Sequence, residues 1–166
     1  MKREEKKGTA ARRSTHEDKS FLSIAGEFAV ASELNRRHIL ASVTYGASKA
    51  ADIFALDDNM RRVVRIEVKT TDKRRWVLSK KVAAPPSREV FWVLVQLPPP
   101  GQPPRFFVFS AQEIHGIWQK DTDEYKRKYE IKNGRRFESF GVAGINLEDR
   151  VLAYENCWDK ITNGLK

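Results

Sequence analysis

Hydrophobic and polar residues alternate most regularly around a short polar turn in the first half of the chain. Two apolar-alternating segments, 52–56 and 62–70, flank this turn, which predicts a β-hairpin. Because successive side chains of a strand point to opposite faces, Glu67 and Lys69 are expected on the same face of the second strand. Pairing of the two strands can then place Asp52 beside them. The pattern therefore predicts two carboxylates and an ammonium group at one place.

The remaining periodicities predict further helices and strands. Apolar residues at three- and four-residue steps predict an amphipathic helix over residues 20–38, with a buried stripe formed by Ile24, Phe28, Ala31 and Leu34. Further strands are predicted over residues 39–45, 76–79, 90–97 and 105–110. The third of these is apolar at every position except Gln96, which is typical of a strand buried on both faces. Further helices are predicted over residues 79–84, 111–119, 121–129 and 147–162, and residues 132–144 are expected to be irregular.

The length, charge and cysteine content limit the class of protein. A chain of 166 residues is most simply one domain with its own core. It carries 31 basic and 22 acidic residues, a formal net charge of +9, which favours an anionic partner, nucleic acid before a membrane. A charge that serves only solubility is the alternative. The single cysteine excludes an internal disulfide and a multi-cysteine zinc site.

The N-terminal segment and the apolar runs bear on localisation. Residues 1–19 are highly charged and almost free of apolar side chains, which predicts a basic, disordered arm ahead of a single folded domain over residues 20–166. The arm lacks the apolar run of a secretory signal. The strongest apolar run, residues 90–97, is far too short to cross a bilayer. A cytoplasmic protein without a membrane partner is therefore expected.

A basic and aromatic segment begins at the end of the predicted hairpin. Between residues 69 and 81 the chain carries six basic residues and one tryptophan. Such a mixture can line a groove for a nucleic-acid backbone and stack a base. A solvated edge strand protected by lysines is an equally physical alternative. The nucleic-acid-binding candidates in this basic segment are Lys73, Arg74, Arg75, Trp76, Lys80 and Lys81.

The acids and the lysine of the hairpin have the chemistry of a metal-dependent hydrolase. Two carboxylates can hold a divalent cation, and an adjacent lysine can activate a water molecule or stabilise a developing phosphate charge. Glu27 lies on the apolar stripe of the first predicted helix, where an unpaired carboxylate is costly. Taken by itself, the helix favours a structural pairing for Glu27 over a role as an accessory acid.

The hairpin motif resembles the PD-(D/E)xK nuclease superfamily, most closely the branch that includes archaeal Holliday-junction resolvases and many small uncharacterised bacterial members. Three signs carry the resemblance, which covers residues 20–71: Gly26-Glu27, Ala51-Asp52-Ile53 and Ile66-Glu67-Val68-Lys69-Thr70-Thr71. The resemblance implies a restriction-endonuclease-like α/β (α+β) fold, with a mixed central sheet of about five strands flanked by helices and a helix before the first strand. It also implies Mg²⁺-dependent cleavage of a phosphodiester bond.

The resemblance also implies a role for each site residue. Asp52 and Glu67 correspond to the metal ligands, with the backbone carbonyl of Val68 as a further ligand. Lys69 corresponds to the residue that orients or deprotonates the attacking water. Glu27 corresponds to the helical acid that supports the metal shell, which reverses the preference drawn from the helix alone. The implied cofactor is Mg²⁺, with Mn²⁺ as an alternative.

The sequence departs from the family pattern at two points. Ala51 precedes the first acid, where the name of the superfamily has a proline. The family also has a substantial helix after the Glu-x-Lys strand, whereas residues 73–89 contain two prolines and leave room for only a short helix. The middle of the topology and the substrate surface built there are therefore expected to differ from the family.

Two functions of different classes are compatible with these residues. The first is a Mg²⁺-dependent endonuclease that hydrolyses phosphodiester bonds in DNA. The second is a noncatalytic nucleic-acid-binding or interaction module that keeps the nuclease fold, for which the basic arm and the basic segment are the motivation. Resolvase-like relatives are dimeric, so a homodimer is compatible with the resemblance. The sequence leaves the structure of the nucleic-acid substrate open.

Overall fold

The computed structural model describes residues 16–44, 50–138 and 144–166. The helices in these residues are α1 (His16–Asn35), α2 (Ala111–Asn133), α3 (Asp149–Leu152) and α4 (Asp159–Gly164). The strands are β1 (Leu40–Val43), β2 (Ile53–Leu56), β3 (Val63–Thr71), β4 (Arg75–Val77), β5 (Val90–Gln96), β6 (Arg105–Ser110) and β7 (Gly144–Asn146). A 3-10 turn at Lys80–Ala83 lies between β4 and β5. No helix in the described ranges has the length and apolar character needed to span a membrane.

A mixed sheet with strand order β1-β2-β3-β5-β6 forms the centre of the described structure. β2 and β3 form the predicted antiparallel hairpin, with Ile53 opposite Ile66. β3 and β5 are parallel, and the connection between them consists of β4 and the 3-10 turn rather than a long helix, as the two prolines predict. The predicted fold class, a mixed sheet flanked by helices with a helix before the first strand, is confirmed.

The sheet separates two hydrophobic clusters. On one face, α1 and α4 cover the aliphatic side chains of β3, among them Val64, Ile66 and Val68. On the other face, α2, α3 and the two-stranded sheet β4-β7 cover Trp92 and Leu94 of β5. Because alternate side chains of β5 enter different clusters, this strand is buried on both faces, as its apolar run predicts.

Several predicted segments extend beyond the described residues or end at different positions. α1 begins at His16, so residues 16–19 of the predicted arm are helical. The rest of that arm, residues 1–15, lies outside the described residues. The same is true of the last residue of the strand predicted at 39–45 and of part of the irregular segment predicted at 132–144.

One face of α1 packs against the sheet, but it is not the predicted stripe. Ala31 and Leu34 are buried as predicted, whereas Ile24 and Phe28 are exposed. Gly26 accounts for the difference. Because it has no side chain, the helix backbone can come close to β3 at this point. The buried face of the helix then includes Glu27 and Val30, one turn further on.

α2 is longer than the sequence pattern predicts. The segments predicted at 111–119 and 121–129 form one continuous helix, which extends beyond both. A capping box fixes its start: the Ser110 hydroxyl accepts from the Glu113 N–H, and the Glu113 carboxylate accepts from the Ser110 N–H. Gly134 ends the helix in the left-handed conformation, with φ of 63°.

The single C-terminal helix predicted over residues 147–162 is wrong. α3 and α4 are two short helices, separated by a segment that pairs with the outer edge of β6. The Val108 N–H donates to the Tyr154 carbonyl, and the Asn156 N–H donates to the Phe106 carbonyl, both at 2.9 Å. Because an edge strand presents unpaired backbone groups, this pairing satisfies hydrogen bonds of the sheet that a continuous helix would leave open.

Glu155 lies in this connecting segment and binds Arg105 at the start of β6. The two side chains form a bidentate ion pair with nitrogen–oxygen distances of 2.7 and 2.8 Å. The hydrogen bond from Arg105 lowers the pKa of Glu155 below its ordinary value. A lowered folded-state pKa means that the stabilisation is present above about pH 4.3 and is lost as the pH falls through the folded-state pKa.

We therefore expect Glu155→Gln to reduce stability only where Glu155 is ionised. Because both side chains are partly exposed and the pair is screened by solvent, the free energy of unfolding should fall by about 1 kcal/mol or less at pH 7. Urea melts at pH 7 and near pH 2 measure the difference, which should vanish at the lower pH. An equal loss of unfolding free energy at pH 7 and near pH 2 would show that the ion pair is not the source of the stabilisation.

Candidate active site

Asp52 is held at the start of β2 by two hydrogen bonds to β3. Its N–H donates to the Ile66 carbonyl at 3.1 Å, and its side-chain Oδ2 accepts from the Val68 N–H at 2.8 Å. Since Ile53 pairs with Ile66, Asp52 and Glu67 are the next pair of neighbours across the two strands. Asp52 is only 9% exposed. The hairpin therefore fixes both the position and the orientation of its carboxylate.

Lys69 lies beside Asp52, as the alternation of the strand predicts. Its Nζ is 3.8 Å from Asp52 Oδ2 and donates a hydrogen bond of 2.9 Å to the Val68 carbonyl. A cation thus lies beside two of the groups that the resemblance implies as metal ligands. The side chain of Lys69 is 25% exposed, so solvent can reach the ammonium group.

Glu67 is buried, and its carboxylate is paired with Lys81, a residue predicted from the sequence to bind nucleic acid. Lys81 Nζ lies 2.5 Å from Glu67 Oε1. Glu67 is 4% exposed, whereas Lys81 comes from the 3-10 turn and keeps almost half of its side chain in solvent. The two residues are 14 positions apart, with β4 between them. No periodicity connects them, so sequence reasoning could not find this pair.

A cleft of about 310 Å³ opens beside the Glu67–Lys81 pair. Its charged lining residues are Arg65, Glu67 and Lys81, and its apolar lining includes Pro85 and Trp92. Arg65 shares a face of β3 with Glu67 because two positions separate them. The cleft therefore presents two cations and one carboxylate to a ligand.

Glu27 is buried in α1, next to the contact between that helix and β3. It is 4% exposed, and the Ser23 hydroxyl lies 3.4 Å from one of its carboxylate oxygens. The adjacent Gly26 packs against Thr70, which directly follows Lys69. In residues 16–44, 50–138 and 144–166, no three Asp, Glu, His or Cys side chains form a group that could hold a metal ion. The role of Glu27 as an accessory acid therefore stays a prediction.

The arrangement of strands and helices is similar to that of a solved nuclease. The chain aligns with the bacterial homing endonuclease I-Ssp6803I at a TM-score of 0.51 and 14% sequence identity, over 90% of this chain and 93% of the endonuclease. The chain has a restriction-endonuclease-like fold. It also aligns with Hjc, a Holliday junction resolvase from Archaeoglobus fulgidus, at a TM-score of 0.43 and 19% identity, over 78% of this chain and 92% of Hjc. No protein-family model and no curated protein matches the sequence.

The resemblance is confirmed as one of fold by the similarity to I-Ssp6803I. The residues of the candidate site fit a divalent cation. The carboxylates of Asp52 and Glu67 and the Val68 carbonyl are hard oxygen donors, which Mg²⁺ and Mn²⁺ prefer. Two of these donors, Asp52 Oδ2 and the Val68 carbonyl, already have a cation beside them, the Lys69 ammonium, which indicates that these oxygens attract positive charge. Metal ligation by these residues stays a prediction.

The basic segment of this nuclease-like fold divides into exposed cations and a buried tryptophan. Lys73, Arg74, Arg75 and Lys80 are exposed. The prediction that Trp76 stacks a base is wrong, because this side chain is 1% exposed and packs in the cluster behind the sheet. Its indole N–H donates to a carbonyl of β5 at 2.8 Å. The alternation of β4 turns it inward between two exposed neighbours.

Proposed function

We propose that the protein is a metal-dependent nuclease that hydrolyses phosphodiester bonds in DNA, with Mg²⁺, or Mn²⁺ in its place, as the cofactor. The observation that carries this proposal is the grouping of Asp52, Glu67, Lys69 and the Val68 carbonyl on the β2–β3 hairpin. The restriction-endonuclease-like fold and the likeness to a homing endonuclease support it.

The carboxylates of Asp52 and Glu67 would hold the cation, with the Val68 carbonyl as a further oxygen ligand. A bound divalent ion polarises the phosphate and lowers the pKa of a coordinated water molecule. Asp52 is preorganised for this role because the Val68 N–H fixes its carboxylate. Glu67 is suited to it because a buried carboxylate needs a positive partner, a part that Lys81 takes in this structure.

Lys69 would position the attacking water and stabilise negative charge on the phosphate. An ammonium group has three hydrogen-bond donors, and one of them is used by the Val68 carbonyl. The others can point to a water molecule and to a nonbridging phosphate oxygen. A neutral Lys69 could instead accept the proton of that water as a general base.

Exposed basic residues would bind the nucleic-acid backbone beside this site. Lys73, Arg74, Arg75 and Lys80 are exposed in the segment that follows β3, and the chain carries a formal net charge of +9. Contacts of this kind release counterions from the nucleic acid, so the affinity should fall as the salt concentration rises. They give affinity for the backbone and carry no base recognition of their own.

Calorimetric titration of Mn²⁺ into the wild-type protein and Asp52→Asn tests the metal site. We expect saturable binding to wild type and binding at least about tenfold weaker to the variant, because a direct ligand should matter at least as much as a hydrogen-bond partner of a ligand. The amide oxygen of asparagine can still accept from the Val68 N–H, so the fold should be retained. Asp58→Asn, at an exposed acid of the hairpin turn, is the control and should bind like wild type.

A noncatalytic nucleic-acid-binding module with the same fold is the second candidate, and it is favoured by the pairing of both acids with lysines. Because a substrate phosphate can complete the coordination shell, the titration is repeated with a noncleavable DNA duplex. Equal Mn²⁺ affinity for wild type and Asp52→Asn would exclude Asp52 as a ligand. If no Mn²⁺ binding is detected with or without the duplex, while the protein still binds the duplex, the noncatalytic module is the better assignment.

A further inference from the structure

Glu67 has a positive partner that competes with the proposed metal. Its side chain is 6% exposed, and Lys81 Nζ lies 2.5 Å from its Oε1. A buried carboxylate needs a compensating positive charge, and Lys81 supplies one. The proposed divalent ion would use the same carboxylate. Two cations on one buried carboxylate repel each other, more strongly than they would in water.

The two lysines of the site differ in how they meet their carboxylates. Lys69 lies 3.8 Å from Asp52 Oδ2, beyond direct hydrogen-bond distance, so an ion that binds Asp52 need not displace it. Lys81 meets Glu67 at direct hydrogen-bond distance. A metal ion that binds Glu67 would therefore conflict with Lys81 rather than with Lys69.

The backbone that carries Lys81 is fixed, while its ammonium group can leave. Val82 is buried, and its carbonyl lies 2.8 Å from Nδ1 of His115 on α2. The Ala84 N–H donates to the Lys81 carbonyl at 3.1 Å and closes the turn. The side chain of Lys81 is nevertheless 47% exposed and lines the cleft. The ammonium can therefore move into the cleft without unfolding the turn.

We propose that Lys81 is a displaceable counterion of Glu67, which holds this carboxylate in the absence of metal and leaves it when a divalent cation binds. This inference rests on the proposed function, because it takes Glu67 as a metal ligand. It makes Lys81 a positioning residue of the site. The released ammonium would remain at the cleft, which Arg65 also lines.

Mn²⁺ titration of Lys81→Met against Lys80→Met tests this displacement. Methionine keeps the apolar part of the lysine side chain and removes its charge. Lys80 is an exposed neighbour, so Lys80→Met measures the long-range effect of losing one positive charge near the site. We expect Lys81→Met to bind Mn²⁺ about three- to tenfold more tightly than Lys80→Met. Lys81→Arg keeps the cation and should bind as wild type does.

Thermal melting in the presence of a chelator gives a second readout. Without metal, Lys81→Met leaves Glu67 buried and without its lysine, so its Tm should be lower than that of Lys80→Met by about 2 °C or more. Saturating Mn²⁺ should raise the Tm of Lys81→Met by more than that of Lys80→Met, because metal replaces the lost partner.

Amine labelling of the wild-type protein tests the same proposal without a variant. Acetylation by an amine-reactive ester, quantified by mass spectrometry, should become faster at Lys81 when Mn²⁺ is added and stay unchanged at Lys80. The displacement would be overturned, and the proposed function left intact, if Lys81→Met and Lys80→Met bound Mn²⁺ with equal affinity and the labelling of Lys81 did not change. If neither wild type nor Lys81→Met bound Mn²⁺, with or without a noncleavable duplex, both the displacement of Lys81 and the proposed function would be overturned.

Discussion

Lys69→Ala is expected to reduce the rate of DNA cleavage by at least about a hundredfold, which is the scale of a positioned proton-transfer group. The physical reason is the position of the ammonium group, which lies 3.8 Å from Asp52 Oδ2 and donates to the Val68 carbonyl. Its removal takes away the donor that would orient the attacking water. The alanine variant should still bind Mn²⁺, because both carboxylates remain, and this separates the role of the lysine from that of the ligands.

The assay for Lys69→Ala uses linear and branched DNA substrates with Mg²⁺ or Mn²⁺, and a chelator as the metal-free control. Lys120→Ala removes an exposed lysine on α2 and should cut at the wild-type rate. DNA affinity, measured in parallel without metal, should change little, since one cation of many is lost. Cleavage by Lys69→Ala at the wild-type rate would exclude the proposed role, whichever substrate is used.

Gly26→Ala is expected to destabilise the fold by about 1–3 kcal/mol, the scale of overpacking in a close-packed interior. A Cβ built at Gly26 would overlap the hydroxyl oxygen of Thr70 and lie 2.9 Å from both carbon atoms of its side chain. Because the contact joins α1 to the strand that carries the site, the helix or the strand would have to move. At about 2–4 °C for each kcal/mol, the Tm should fall measurably.

Gly116→Ala is the matched control for Gly26→Ala. Gly116 also lies in a helix, but a Cβ built there meets no atom within 4 Å in the described structure. This variant should therefore gain about 0.5–1 kcal/mol from helix propensity. The two substitutions are chemically identical and should have opposite signs. A stabilised Gly26→Ala would show that the close approach of α1 to β3 is not as described.

Thr70→Ala provides a rescue of the same contact. The Thr70 hydroxyl is buried, and it has no hydrogen-bond partner within the described residues, so its removal alone should cost little. Combined with Gly26→Ala, it removes the overlapping oxygen and restores part of the lost stability. A double-mutant cycle should then show a coupling between the two positions. Strict additivity would argue that the clash is relieved elsewhere.

The components of the proposed site that lie on the hairpin could be predicted from the sequence. Alternation along β3 puts Glu67 and Lys69 on one face, and antiparallel pairing brings Asp52 to them. These are local relations, because one strand and one turn specify them. The same holds for β5, whose apolar run predicts burial on both faces.

The partners that come from distant segments could not be predicted. Lys81 is 14 positions from Glu67, and only the packing of the 3-10 turn against α2 brings it to the carboxylate. Trp76 lies among basic residues in the sequence, which predicts a nucleic-acid-binding role at the surface, but β4 turns it into the hydrophobic cluster behind the sheet. In both cases the side chain is placed by elements that are remote in the chain, and local periodicity carries no information about them.

The sequence by itself determined the β2–β3 hairpin, the buried strand β5 and the chemistry of the hairpin, because residue spacing fixes which side chains share a face of a strand. Tertiary structure alone decided which face of α1 meets the sheet, how the C-terminal segment divides, and which cation pairs with Glu67. The face of α1 follows from close packing at Gly26, and the division of the C-terminal segment follows from the unpaired edge of β6. The pairing with Lys81 follows from the burial of the Glu67 carboxylate. Each depends on contacts between segments that are far apart in the chain, and such contacts form only when the whole fold is in place.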